Sequence, residues 1–582
     1  MIPKLVYRDN EMISLCLGGV FLHIAMKNWV KLIVLTVLLT LVVTACENES
    51  NTLNNNDESV EQNEYSNDYD EIGLSKYEPS IELSFVRETS DELEGLINLL
   101  PGESLEDNRW SRIYEQVLGI SINYDWKAKG DLYKQKLSFS VSSGQIPDVI
   151  KVSSEQLRIL SNAGLIQDLT EVYNKYATPL TKDILEQEGR STFDAATIDG
   201  KLMAIPDTNS SIEGAMYIWL RTDWMEQLRL QPPQTINDVL EISRAFTEMD
   251  PDQNGQDDTF GLAITNYLWD PVMSIKGFMA GFEAYPELWI VDDSNNLVFG
   301  GIQPEVKESL LALQQMYKNG QLDPEFSFKN GGKVKQQIAD GKVGMMYGEQ
   351  WGSFVVQSSK TLASDADWKA YPIVSLTGNP PKVPLKLRTY QYFAVSKDLE
   401  QPEAIIKLIN LHLEKNWGET AEYNTFYSSS YPVWQLSPVT PYPAQKNLEA
   451  YRQLDEARET GNWNLLNAEA QSIQKLIEQF QAGGTDKSHG WGWDKTYGVN
   501  GAFSILDQYE ANDQLLYEAF TGAPTETMIE RISILHDLQH ESYINIILGN
   551  SINEFDQFVE TWYELGGAEI TKEANEWYHQ NK

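Results

Sequence analysis

At 582 residues the chain is too long for one hydrophobic core, which rarely grows beyond ~250–300 residues. Its 45 basic and 85 acidic side chains leave a formal charge of −40, which excludes nucleic acid and other polyanions as general partners, because phosphate binding needs cationic surface. The two cysteines, Cys16 and Cys46, both lie at or before position 46, so no disulfide framework is available downstream and burial alone must hold the fold.

Residues 1–25 fit poorly in front of a segment that has its own Met, which predicts a start at Met26 and an upstream extension over 1–25. Residues 26–45 carry the grammar of an export signal. Lys27 and Lys31 form a charged start, an apolar-plus-threonine run extends from Leu32 to Val43, and small residues precede Cys46. The run is about half the ~20 residues of a bilayer-spanning helix. Val43-Thr44-Ala45-Cys46 is similar to the lipobox of bacterial lipoproteins. That implies cleavage before Cys46 and a lipid, palmitate included, on Cys46; the alternative is an uncleaved anchor helix. The chain beyond is then expected on the extracellular face of the cell membrane. Losing the four basic and two acidic residues before Cys46 takes the charge from −40 to −42, so lipid rather than surface charge would do the anchoring. Residues 46–78 are rich in Asn, Asp, Glu and Ser and read as a flexible acidic tether.

Order is predicted from Ile81, where Ile81-Glu82-Leu83-Ser84-Phe85-Val86 alternates like a strand. A helix over 108–118, a strand over 120–124 and a helix over 131–140 follow, then a turn at 143–148 feeding a buried strand. Strands alternating with helices imply α/β units and a mostly parallel sheet. Further helices are predicted over 235–247, 304–319 and 402–414, with two more over 552–579 broken at Gly566-Gly567.

Several motifs occur in a telling order: Ser-Gly-x-x-Pro-Asp at 143–148, Ala-Gly-Leu-Ile-x-Asp-Leu at 163–169, Asp-Gly-Lys-Leu-x-Ala-Ile-Pro at 199–206 and Trp-Leu-Arg-x-Asp-Trp at 219–224. With the ending from Trp562, they make the chain resemble the extracellular solute-binding lipoproteins of bacterial carbohydrate ABC transporters, family 1 type, in the long branch found in Bacillus and Paenibacillus. The resemblance implies an α/β, two-lobed periplasmic-binding-protein-like fold of type II, with lobes joined by hinge strands. Lobe 1 would take 79–205 plus about 388–415, and lobe 2 would take 206–387 plus about 416–582. It also implies a monomer that captures an oligosaccharide and hands it to ABC permease subunits, without catalysis. A surface sugar sensor or adhesion module, and a secreted glycan-active enzyme using paired carboxylates, are the alternatives.

Asp250-Pro-Asp252-Gln-Asn254-Gly255-Gln256-Asp257-Asp258 places oxygen side chains at positions 1, 3, 5 and 9 and Gly at 6, matching the first nine positions of an EF-hand loop. Asp250, Asp252, Asn254 and Asp258, with the backbone carbonyl of Gln256, are therefore predicted calcium ligands, and Asp257 or Thr259 a further one. Position 12 is Gly261 instead of Glu, so the loop is not an EF-hand; in the resembled family such a loop is a structural calcium site. Sugar rings stack on aromatic faces, and Trp351, Trp269, Trp493 and Tyr392 are the leading candidates for this role. Trp491, Arg388, Arg87 and Glu88 rank lower; Arg87 and Glu88 follow the first strand, where ligands bind in open α/β sheets. His536 and His540, spaced i, i+4, brush against a zinc-protease pattern. They are read as surface residues of a late helix.

Overall fold

The computed structural model describes residues 72–361, 363–428, 431–483 and 490–582, all within the single unit Asn67–Lys582. Cys46, the signal and most of the predicted tether lie outside the described residues. The tether ends sooner than its composition suggests. Leu74 is buried, Asn410 Nδ2 donates to the Gly73 carbonyl at 2.9 Å, and Lys407 Nζ donates to the Ser75 carbonyl at 2.7 Å.

Two hydrophobic cores define two lobes. Lobe 1 contains strands β1 (Ile81–Thr89), β2 (Ile120–Lys129), β3 (Val149–Ser153) and β4 (Ile205–Pro206). Lobe 2 contains β5 (Tyr217–Arg221), β6 (Phe260–Ala263), β7 (Val343–Gly348) and β8 (Trp368–Pro372). The chain then returns to lobe 1 as β9 (Gln391–Val395). β1 and β2 pair in parallel with an irregularity at Phe85/Val86. Asp148 of the 143–148 turn staples β1 beside β3, accepting from both the backbone and the hydroxyl of Ser84 at 2.9 Å.

The sheets are mixed, not mostly parallel as predicted. β9 runs antiparallel to both β3 and β4. In lobe 2 the order is β8-β5-β7-β6, with β5 antiparallel to both its neighbours and only β6 and β7 parallel. The cause is the crossings: a strand arriving from the hinge runs opposite to those leading out. The helices follow the predicted periodicity, over Ile236–Glu248, Glu305–Lys318 and Ala404–Trp417. The last pair, Asn553–Trp562 and Ala568–Asn581, breaks at Gly566, whose φ of +125° a side chain would not tolerate.

The lobe boundary also moves. Residues 416–439 were assigned to lobe 2, yet Phe426, Leu436 and Val439 sit in the lobe 1 core. The helix Ala404–Trp417 is buried on almost every side, and Phe426 closes over Trp110 at 4.9 Å between ring centroids. The chain therefore crosses between lobes three times, at 207–211, 386–390 and 440–446. These crossings are laced together. Thr440 Oγ1 donates to Asp207, Thr208 Oγ1 to the Tyr442 carbonyl at 3.0 Å, and the Arg388 amide to Ser211 Oγ at 3.0 Å.

Candidate ligand cleft

A cavity of about 720 Å³ opens between the lobes. Lobe 2 supplies Trp351 and Phe354, where β7 passes into the helix Gly352–Val356, together with Trp493 and Tyr497 of the helix Trp491–Tyr497. Trp351 is held by its indole, which donates to Glu349 Oε2 at 3.0 Å. Glu349 is almost fully buried and pairs with Arg388, while its backbone carbonyl accepts from Trp219 Nε1 at 3.2 Å. Gly352 permits this packing, because a Cβ there would lie 2.6 Å from the same indole nitrogen. Trp493 meets Phe354 edge-on at 5.2 Å and stacks with Tyr497 at 5.7 Å.

Lobe 1 supplies the facing wall from the segment that sequence reading misassigned. Tyr423, Tyr427, Tyr431 and Trp434 line the cavity. Tyr427 lies 5.0 Å from Tyr423, 5.0 Å from Trp417 and 6.2 Å from Trp434, in a ladder of rings. None of the four was picked from the sequence, although the aromatic spacing at 423, 427, 431 and 434 was a usable signal. Polar groups fill the floor. Lys446 Nζ donates to Glu469 at 2.7 Å, and Glu213 accepts from Asn447 at 2.8 Å and Gln350 at 3.2 Å. Burial pushes the Glu213 carboxyl up to about 7, against the pull of Lys446.

There are two smaller cavities of about 260 Å³ each; the second is linked to the main one through Arg388, whose partner Glu349 holds the Trp351 indole. The first lies at the end of β1, contains Arg87, Glu88, Lys151 and Gln391, and shares Trp434 with the main cavity. Arg87 Nη2 donates to the Gln435 carbonyl, while its Nε is buried without a partner among the described residues. The second contains Trp269, Tyr267, Lys276, Glu287, Lys386, Arg388 and Tyr390. The structure thus places Trp351 and Trp493 in the main cavity, Arg87 and Glu88 in the first small one, and Trp269 and Arg388 in the second.

Two candidates fall elsewhere. Tyr392 is 1% exposed in β9, between β3 and β4, and its hydroxyl donates to the Thr389 carbonyl at 3.0 Å. From Tyr392 to Val395 the strand is buried on both faces, so neither side of it opens to the cleft. Trp491 is 2% exposed, with its indole directed at Asp367 at 3.3 Å. The stretch forms the helix Trp491–Tyr497, and two residues turn it through about 200°, so Trp493 faces the cavity and Trp491 the core.

The 250–258 loop draws its oxygens together. Asn254 Nδ2 donates to Asp252 at 2.8 Å and to Asp258 at 3.1 Å, and the amides of Asn254 and Gly255 each donate to Asp250 at 3.1 Å. Gln256 is exposed and its amide donates to the Asn254 side-chain oxygen at 2.6 Å. Lys342 sits between Asp252 and Asp258 and holds the Asp258 carboxyl below its usual range. Burial, with the hydrogen bond shared with Asp250, raises that of Asp252. These are oxygen donors of the kind a hard cation takes, but Lys342 stands between Asp252 and Asp258, and among the described residues no three acidic, His or Cys side chains are grouped to hold a metal ion. Thr259 does not join the loop's oxygens, since its hydroxyl donates inward to the Phe246 carbonyl at 2.8 Å. Position 12 has no room for a ligand side chain: a Cβ on Gly261 would lie 2.0 Å from Ser243 Oγ. His536 is exposed, whereas His540 is half-buried with Nε2 2.8 Å from the Asn266 carbonyl.

Comparison with known proteins agrees with this architecture. "Lipoprotein LipO" of Bacillus subtilis is 23% identical over 507 residues, covering 85% of this chain and 93% of that protein. "Polygalacturonan/rhamnogalacturonan-binding protein YtcQ" of the same organism is 22% identical, covering 80% and 87%. The fold matches that of the Streptococcus pneumoniae ABC-transporter substrate-binding protein FusA in complex with kestose, with a TM-score of 0.58, 16% identity, and coverage of 86% of this chain and 99% of that one. A family model for bacterial extracellular solute-binding proteins matches residues 103–418. With that match spanning more than half of its length, the chain belongs to the family of bacterial extracellular solute-binding proteins.

Proposed function

We propose that the protein captures an oligosaccharide between its lobes and delivers it to the permease of an ABC importer. The observation that carries this reading is the pair of aromatic walls. Trp351, Phe354, Trp493 and Tyr497 face Tyr423, Tyr427, Tyr431 and Trp434 across one cavity. Aromatic faces take the apolar C–H patches of sugar rings, and Lys446, Glu469, Asn447 and Gln350 stand ready for the hydroxyl rim. The named ligands of relatives, kestose for FusA and polygalacturonan or rhamnogalacturonan for YtcQ, support the same class. Three laced crossings supply a hinge, and closing the walls on a ligand is the motion such a hinge allows. The protein acts by binding, with no bond made or broken. Occupancy shifts it to the closed form that a permease recognises.

The same reading makes Cys46 the lipidated first residue of the mature chain, tethered on the outer face of the membrane and monomeric. It assigns a structural calcium ion to Asp250, Asp252, Asn254, Asp258 and the Gln256 carbonyl, supported by their spacing along the loop and by a FusA structure described as an EF-hand mutant. The test is a thermal-shift panel of oligosaccharides, with and without calcium. A ligand that binds only the folded state must raise the melting temperature. At least one oligosaccharide is expected to do so, and its effect should fall in W351A and W434A. A panel in which no sugar shifts the transition would sink the proposal.

A further inference from the structure

The cavity beside the second crossing differs chemically from the aromatic cleft. Lys276 Nζ lies 3.6 Å and Lys386 Nζ 3.8 Å from opposite oxygens of Glu287. Both contacts exceed hydrogen-bond distance, and neither ammonium donates a hydrogen bond to another described residue. Two cations therefore share one carboxylate and keep their donors free. The other nearby carboxylates are already engaged. Glu349 is buried and taken by Arg388 and by the Trp351 indole. Glu518 accepts the Trp289 amide at 2.8 Å, and burial pushes its carboxyl up to about 7. Around the ammonium groups stand aromatic faces. Tyr267 is 56% and Tyr390 54% exposed, and Trp269 completes the lining. On a chain whose net charge is −40, two ammonium heads paired with a single carboxylate between exposed rings are out of keeping with their surroundings.

We infer that this cavity is a subsite for a carboxylate-bearing sugar residue, so that the oligosaccharide held in the cleft is an acidic one, with Lys276 and Lys386 reading its carboxylate. The inference rests on the reading of the cleft as an oligosaccharide site. A charge-assisted hydrogen bond from an ammonium to a carboxylate is about twice as strong as a neutral one. Two such donors give the site a local preference that the global field of an acidic protein opposes. Arg388, fixed by Glu349, borders the cavity and keeps the crossing in register.

The experiment is calorimetric titration of the full-length chain in detergent micelles with three probes: a short oligogalacturonate, the same oligomer fully methyl-esterified, and a neutral fructooligosaccharide. The ester keeps the backbone and removes the charge. We expect the acid to bind at least tenfold tighter than its ester, with an affinity that weakens as salt is raised. In K276Q and in K386Q the acid-to-ester ratio should fall roughly tenfold, toward unity. Tighter binding of the ester or the neutral probe would overturn the inference while leaving the cleft a sugar site. So would an acid preference that survives both substitutions. Failure of all three probes, and of the wider sugar panel, would remove the oligosaccharide reading itself.

Discussion

The two walls of the cleft are built by different means. Lobe 2 sets its aromatics on the first turns of helices that grow directly out of the core: Trp351 is anchored by Glu349, and Glu349 by Arg388 and Trp219. Lobe 1 offers a short segment in which each ring leans on another, Tyr423 on Tyr427 and Tyr427 on Trp434. One wall is held by hydrogen bonds and a buried ion pair, the other by ring stacking. The supports beneath the first wall should therefore fail as lost stability, whereas a ring lost from the face of either wall should show as lost affinity.

The largest effects should come from beneath the first wall. Glu349→Ala strands the Arg388 guanidinium and the Trp351 indole in a buried setting, and breaking a pair in this way costs about 3–5 kcal/mol. Trp491→Ala should cost a similar ~3–5 kcal/mol by emptying the core, whereas Trp493→Ala should mainly lower sugar affinity. Urea unfolding of the two tryptophan variants beside ligand titration separates core from cleft; equal unfolding midpoints would erase the distinction.

Next in size is a pH effect at the floor between the walls. With its carboxyl pushed up to about 7, Glu213 keeps a proton in the folded state that the unfolded chain gives up near ~4.3. The group costs nothing below both values; its cost grows as pH rises from about 4.3 and levels off above about 7, where both states have lost the proton. Between pH 5 and pH 8 the wild type should lose on the order of 2 kcal/mol relative to Glu213→Gln. Parallel denaturation curves at both pH values check the sign, and a gain by the wild type on raising the pH would refute it.

Smaller changes belong to the stacked wall. Tyr427→Ala and Trp434→Ala should each weaken oligosaccharide binding by about 1 kcal/mol, roughly fivefold. A double-mutant cycle should show coupling between them, because each ring rests on the other; strict additivity would mean that the ladder is not a unit. The smallest expected effect lies far from either wall. Calcium should raise stability by about 1 kcal/mol and lose that effect in Asp252→Asn. A melting temperature indifferent to EDTA would remove the ion from the 250–258 loop.

Much of the local structure was legible. Alternation marked β1, three-to-four spacing marked the long helices, and the oxygen spacing from Asp250 to Asp258 marked a loop whose side chains do converge. The first wall was legible in part, because Trp351 follows a strand and a tight turn. The second offered its aromatic spacing at 423, 427, 431 and 434, but residues 416–439 carry no sign of the lobe they pack against. Tyr392 and Trp491 misled for a related reason: a residue's type says that it prefers burial or stacking, but its side of a strand or helix is set by what lies across from it.

By itself the amino-acid sequence determined periodicity, turn chemistry, charge and the order of the family's motifs, since these depend on residues near one another along the chain. Tertiary structure alone decided the antiparallel return of β9, the third crossing at 440–446 and the meeting of Tyr427 with Trp493 across one cavity. Those outcomes depend on contacts between segments far apart in the chain. Such contacts form only where the burial of both partners repays the ordering of the chain between them.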